Sequence, residues 1–212
     1  MHSPDLNFLH GLHTPRCIAR VDKYFRGYAT LQYMVQGGVE LHYDQKAHAL
    51  QGCWFWPAWD GPHIRFHPGA GHTWWEHRYV AIQGPLLSRW FAAELYPTTP
   101  QVAPRGREHA RAFDDMIALF NQPGRWPLIR AVNLLEGLLF ELAQARSQSM
   151  EDQQLVDRVD QLMNESGYAL DYQQIADSLK MGLSTLRRRF AQATGESLHA
   201  YVINAKLNAA RH

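Results

Sequence analysis

The segment from Asp171 to Phe190 constrains this chain more than any other, because its spacing dictates two short helices around a tight turn. Asp171 followed three residues later by Gln174 has the form of a reciprocal N-terminal cap, so a helix starts near Tyr172. Small Ala176 leaves room for a second helix to cross closely, and Gly182 reads as the residue that frees the backbone at the turn. Leu186, Phe190 and Ala193 then recur at i, i+4 and i+7, which gives the second helix one apolar stripe. At about 100° per residue, Ser184, Arg188 and Gln192 point away from that stripe, with Thr185, Arg187 and Arg189 on its flanks. An ordinary helical hairpin has the same apolar spacing. Three consecutive arginines opposite the stripe favour a helix-turn-helix whose second helix enters the major groove of double-stranded DNA. Ser184, Thr185, Arg187, Arg188, Arg189 and Gln192 are the expected DNA-facing residues.

Charge is segregated in the same sense. The net charge of +1 carries no overall nucleic-acid signature. Yet Glu151 to Leu183 holds seven acidic residues against two basic ones, and Ser184 to His212 holds five basic residues against Glu196 alone. Positive charge is thus gathered where phosphates would lie. For the arginines taken alone, a solvated charged face is the competing reading.

Ala176, Leu179, Met181, Leu186, Arg188, Phe190, Gly195, Ser197 and Tyr201 together resemble the first helix-turn-helix of the AraC family of bacterial transcription regulators, over Leu155 to the end of the chain. The resemblance implies two such units joined by a long helix behind a small β-barrel sensor, with Ser184, Arg187 and Arg188 reaching base edges. Gly182 departs from it, standing where a serine usually caps the recognition helix, at a cost of only a few tenths of a kcal/mol. Ser197 reads as the N-cap of a further helix from Leu198 to at least Arg211, with Ala200, Ile203, Leu207 and Ala210 at helical spacing. Neither a C-cap glycine nor a proline closes that helix, and the expectation is a chain lacking the second unit, with weaker, more salt-sensitive DNA binding. A shortened regulator that dimerises without binding DNA is one alternative this leaves open.

Strand signals fill the first hundred residues. Tyr28–Val35 is rich in β-formers, Gly37-Gly38 marks a hairpin, and Val39–Tyr43 alternates with Val39, Leu41 and Tyr43 on one face. Further strands are expected at Cys53–Trp56, His63–His67 and Thr73–Ile82. Short strands at this spacing predict a small antiparallel barrel or jelly roll, and Trp75 with the run His77–Val80 resembles the cupin-like sensor barrel of arabinose-type AraC regulators. The fold class is therefore α+β: a cupin-like antiparallel barrel with packed helices, then an all-α helix-turn-helix domain.

Five of the seven tryptophans lie between Trp54 and Trp75, among several histidines, and aromatic faces beside polar donors suit a sugar or other small polar effector. Period two places Trp75, His77 and Tyr79 on one strand face, and Trp74, Glu76 and Arg78 on the other. The resemblance assigns the ligand-contacting histidine and aromatic to His77 and Tyr79. Trp59, His63, Arg65 and Trp75 complete the expected ligand set. The family's sugar-binding arginine falls on Val35, with Arg26 or Arg65 as substitutes. The competing reading makes these aromatics barrel core and rim. No His-x-His pair of the kind metal cupins use occurs, and no nucleophile motif, phosphate loop or dinucleotide fingerprint is present. Neither a metal, a cofactor nor an enzymatic activity is expected, a metal-dependent cupin enzyme being the alternative.

Between the two parts, helices are expected over Leu86–Leu95 and Glu108–Phe120 and from about Pro127 to Arg146. Leu128, Ala131, Leu135, Leu138, Leu142 and Ala145 form a wide stripe on the last of these, and the resemblance assigns it to pairing two subunits, with packing inside one chain as the alternative. Ser147–Gln153 is polar and reads as the linker between a domain at 1–146 and a DNA-binding domain at 154–212. No run approaches the roughly 18 apolar residues of a membrane span, the start is no signal peptide, and Cys17 and Cys53 form no Cys-x-x-Cys, so a reducing cytoplasmic setting is expected.

Overall fold

The computed structural model describes residues 5–104, 109–167, 169 and 171–209. It is a mixed α+β protein in which antiparallel strands come first and helices follow. The chain divides into two compact units, Met1–Gln144 and Ala145–His212. Among the described residues no helix is long and apolar enough to cross a membrane.

The first unit holds strands β1 (Asn7–Cys17), β2 (Val21–Tyr24), β3 (Ala29–Tyr43), β4 (Lys46–Gln51), β5 (Trp54–Ala58), β6 (His63–Pro68), β7 (Trp75–Gln83) and β8 (Gln101–Val102). β3 belongs to two layers. Its first half pairs with β7 and β5, and its second half with β6 and β4, all antiparallel. β1 extends the first layer beyond β7, β8 extends it beyond β5, and β2 pairs with β6 in the second. The two layers face one another as a small barrel around Met34, Trp56 and Trp75 from one side and Leu41, Ile64 and Phe66 from the other.

The outer face of the first layer carries the other core of this unit. Leu31, Tyr33, Phe55, Val80 and Ile82 pack against α1 (Pro85–Ala92), α2 (His109–Phe120) and the first half of α3 (Arg125–Glu165). The buried residues Ala131, Leu135, Leu138, Leu139 and Leu142 of α3 all enter this core. The stripe expected to pair two subunits is therefore spent inside one chain, because the apolar back of the barrel is the nearest surface needing cover.

Three local expectations need correction. Gly37-Gly38 does not turn a hairpin but sits mid-strand, where β3 passes between layers with a register shift between Met34 and Gly37. Gly37 has φ 97°, a Cβ there would lie 2.6 Å from the Trp74 carbonyl oxygen, and a Cβ on Gly38 would run into the His72 ring. The hairpin turn lies instead at Asp44 (φ 51°), before β4, and the Asp44 carboxylate accepts from the His63 amide at 2.9 Å. Second, Ser147–Gln153 is helical within α3, supported by Gln148–Asp152 and Gln153–Asp157 bonds of 2.9 and 2.8 Å at i, i+4. Third, the left-handed residue of the helix-turn-helix is Lys180 (φ 53°), whereas Gly182 has an ordinary extended conformation.

The second unit packs the end of α3 with α4 (Tyr172–Ser178), α5 (Leu183–Thr194) and α6 (Leu198–Ala209). Both bonds of the Asp171–Gln174 capping box form, at 2.8 and 2.9 Å. Leu186 and Phe190 are fully buried beside Ile175, Ala176 and Val159, and Gly195 in the left-handed region ends α5. Ser197 caps α6 by accepting from the Ala200 amide at 3.1 Å. Glu108, Ala210 and Arg211, assigned to helices from the sequence, lie outside the described residues.

Candidate functional site

In the second unit the apolar stripe of α5 fixes what its other side presents. With Leu186 and Phe190 buried, Ser184, Thr185, Arg187, Arg188 and Gln192 are exposed on the opposite surface. The Arg187 guanidinium lies 5.9 Å from the Tyr172 ring centre, over α4. Among the described residues neither Arg187 nor Arg188 has a carboxylate within ion-pair distance. Arg189 differs from both: its Nη2 sits 3.7 Å from Glu151 and 3.8 Å from Asp152 on α3, with the side chain only 30% exposed. The structure thus groups five of the six predicted DNA-facing residues and turns Arg189 back toward its own unit. Gly182 holds the N-cap position of α5 and makes no side-chain capping bond there.

In the first unit the six residues expected to share a ligand site fall into three places. Trp75, His77 and Tyr79 do share one face of β7, and that face lines the barrel interior. His77 is buried, donates from Nε2 to Gln32 Oε1 at 2.9 Å, and is stacked by Trp56 (5.5 Å, 9°) and Tyr79 (5.3 Å, 24°). Burial pushes its pKa down to about 3, so the imidazole is neutral, with the Nε2–H tautomer set by Gln32. The buried indole N–H groups of Trp56 and Trp75 lack a hydrogen-bond partner among the described residues. This interior can bond an acceptor, and Lys23, with its ammonium 4.6 Å from the Phe25 ring, brings a positive charge near Tyr79.

Trp59 packs at the edge of the same barrel core, its ring 5.1 Å from that of Tyr43, and also lines a cavity of about 430 Å³ with Tyr28, Asp60, Leu87 and Phe91 between the strands and α1. His63 and Arg65 are on β6 beside inward-facing Ile64 and Phe66, so both side chains point to the outside of the second layer, where His63 meets Asp22 at 2.6 Å. Sequence periodicity assigns faces within one strand and is silent about which faces of different strands converge. Nor does either substitute arginine reach His77: Arg26 is exposed over the Tyr24 ring at 5.7 Å, and Val35 packs toward the helices. Sequence reasoning missed two partners of His77, Gln32 and Trp56, which the β3–β7 and β3–β5 registers bring to it.

In the interior, His77 Nε2 is engaged by the Gln32 amide oxygen. Among the described residues, the one group of three His, Cys, Asp or Glu donors lying within 4.8 Å of one another is Glu40, His42 and His67, on the outside of the second layer. Its available signal was Glu40-x-His42, two ligand types at strand period.

Neither a protein-family model nor a curated protein matches the sequence. Among solved structures, the chain is similar to the Schizosaccharomyces pombe Cnp3 cupin domain, with 11% identity and a TM-score of 0.32 over 44% of this chain; it spans 66% of that domain's length, just under two thirds. It is also similar to Vibrio cholerae O395 ToxT, at 9% identity and a TM-score of 0.39, covering 94% of this chain and 78% of that one. A third likeness is to unsaturated fatty acid bound wild-type ToxT from Vibrio cholerae strain SCE256, with 9% identity, a TM-score of 0.36, and coverage of 93% and 76%. At such TM-scores these likenesses carry no functional argument.

Proposed function

We propose that this chain is a sequence-specific DNA-binding transcription regulator, without catalytic activity, whose barrel senses a small polar molecule. The observation that carries the reading is the surface of α5: Arg187 and Arg188 are exposed and, among the described residues, free of carboxylate partners, while Leu186 and Phe190 anchor the helix from behind. A cationic helix held rigidly, with serine, threonine and glutamine beside the arginines, has both the phosphate-binding and the base-reading groups that major-groove recognition requires. In the barrel, stacked aromatic rings beside unpaired donors and a neutral imidazole suit a small polar ligand bearing hydroxyl or carbonyl groups, a sugar being one such molecule. Its effect on DNA binding is limited to its differential affinity for the arrangements the protein adopts.

The regulator pairs as a homodimer through the outward face of α3. Leu134 and Phe140 are 37% and 59% exposed at the edges of that face, and Gly137 lies between them with open space above it.

The test is selection of duplexes from a random-sequence pool by the purified chain, followed by affinity measurement over a salt series. A recovered consensus whose binding weakens by about 1–3 kcal/mol in Arg188→Ala, with relaxed preference at one position, supports the reading. Recovery of no consensus at low salt, or an Arg188→Ala protein with unchanged affinity and preference, refutes it.

A further inference from the structure

Strand β3 meets β6 on the second layer with Glu40 opposite His67 and His42 opposite Arg65. Glu40 and His42 are two residues apart and alternate with buried Val39, Leu41 and Tyr43, so both project to the outside of the barrel, as does His67 beside buried Phe66. We infer that Glu40, His42 and His67 form a mononuclear site for a divalent transition metal of the zinc class, with one coordination position left open to solvent.

The donor atoms of the three side chains lie within 4.8 Å of one another, and His42 Nε2 is 2.9 Å from Glu40 Oε1. In a tetrahedron of roughly 2.0 Å bonds the ligands stand about 3.3 Å apart, so the group closes on an ion by side-chain rotation alone. The proton now shared between His42 and Glu40 occupies the place a metal would take. His67 is already prepared: its Nδ1 donates to the Pro68 carbonyl at 2.9 Å, which fixes the tautomer whose Nε2 lone pair is free. Such a bond from the second ring nitrogen to a carbonyl is the usual outer support of a metal-binding histidine. Two imidazoles and one carboxylate are a set that zinc accepts, with water in the fourth position.

Space is available on the same face. The β4 residues opposite His42 and Glu40 are Ala47 and Ala49, and a cavity of about 390 Å³ lined by Glu40, Ala47, Ala49 and Gly69 adjoins the cluster. Arg65 stands opposite His42 and works against a cation, and the cluster's carboxylate partly offsets it. An ion here ties β3 to β6 and so locks the second layer.

The experiment uses the full chain without an affinity tag, stripped by a chelator and titrated with Zn²⁺ and Co²⁺ by calorimetry and visible absorption. One ion per chain binds at micromolar concentration, cobalt gives the visible bands of a low-coordinate site, and zinc raises the melting midpoint by mass action. Glu40→Gln, His42→Gln and His67→Gln each weaken binding at least about tenfold. Arg65→Gln tightens it about three- to tenfold by removing like charge. The variants lie on a half-exposed strand surface, and far-ultraviolet circular dichroism checks that they fold. Binding of unchanged affinity and stoichiometry in the triple Gln variant shows that other histidines take the ion and overturns the proposal. Absence of binding by the folded wild-type chain at micromolar metal overturns it equally.

Discussion

His77 and Gln32 meet across the β3–β7 register in the middle of the barrel, with the imidazole Nε2–H directed at the amide oxygen 2.9 Å away. Because burial pushes the His77 pKa down to about 3, the folded chain refuses a proton that the unfolded chain accepts below pH 6.5. The unfolded state then binds more protons, so stability falls as pH drops from about 6.5 toward 3 and is unaffected above that window. At pH 5 the loss is about 2 kcal/mol. Denaturant melts between pH 7 and 4.5 measure it, and His77→Gln flattens this part of the profile. An unchanged slope in that variant assigns the proton uptake to other groups.

The three arginines of α5 are expected to behave differently. Arg187→Ala and Arg188→Ala reduce the salt dependence of DNA binding or relax its preference, because both side chains face solvent. Arg189→Ala acts mainly within its own unit by freeing Glu151 and Asp152, and costs at most about 1 kcal/mol of stability, since at 3.7 and 3.8 Å neither contact is a hydrogen-bonded ion pair. Thermal melts beside binding curves separate the two effects.

Gly37→Ala is expected to destabilise the first unit by about 2–5 kcal/mol, through the left-handed backbone and the contact with the Trp74 carbonyl. Ala at Gly52, which also has positive φ but meets nothing within 4 Å, costs only the backbone part, about 1–2 kcal/mol. Equal losses at the two positions would show that close approach is not what fixes the bend in β3.

Phe140→Glu is expected to yield monomers without loss of fold, because the side chain is exposed and outside the core that buries Ala131, Leu135, Leu138, Leu139 and Leu142 of α3. Sedimentation velocity of both proteins at the same concentration reads the change. A wild-type chain that is monomeric at tens of micromolar removes the dimer from the functional scheme.

What the sequence discloses is local. The Asp171–Gln174 cap and the Leu186–Phe190 stripe involve residues within a turn or two of each other, and spacing alone makes both legible. The face shared by Trp75, His77 and Tyr79 is legible for the same reason. Strand β1 is not: its sequence holds Gly11, Pro15 and two histidines, and it is extended because β7 pairs with it. Gly37-Gly38 misleads because glycine marks both turns and close backbone approach. The wide stripe of α3 announces burial without naming the partner, and the polar run after it looks like a linker although Gln, Glu and Met are good helix formers. The turning of His63 and Arg65 away from His77 depends on inter-strand register, which pattern within a strand does not encode.

The passage of β3 through both layers has a consequence for mutational tolerance. A slip of one residue along this strand would bring Thr30 and Gln32 to the helices, withdraw Gln32 from His77, and turn Glu40 and His42 inward while expelling Leu41. Insertions or deletions anywhere in residues 29–43 are therefore felt at both chemical clusters together. Evolution can tune either one by substitution, but length changes in this ribbon strike the two at once.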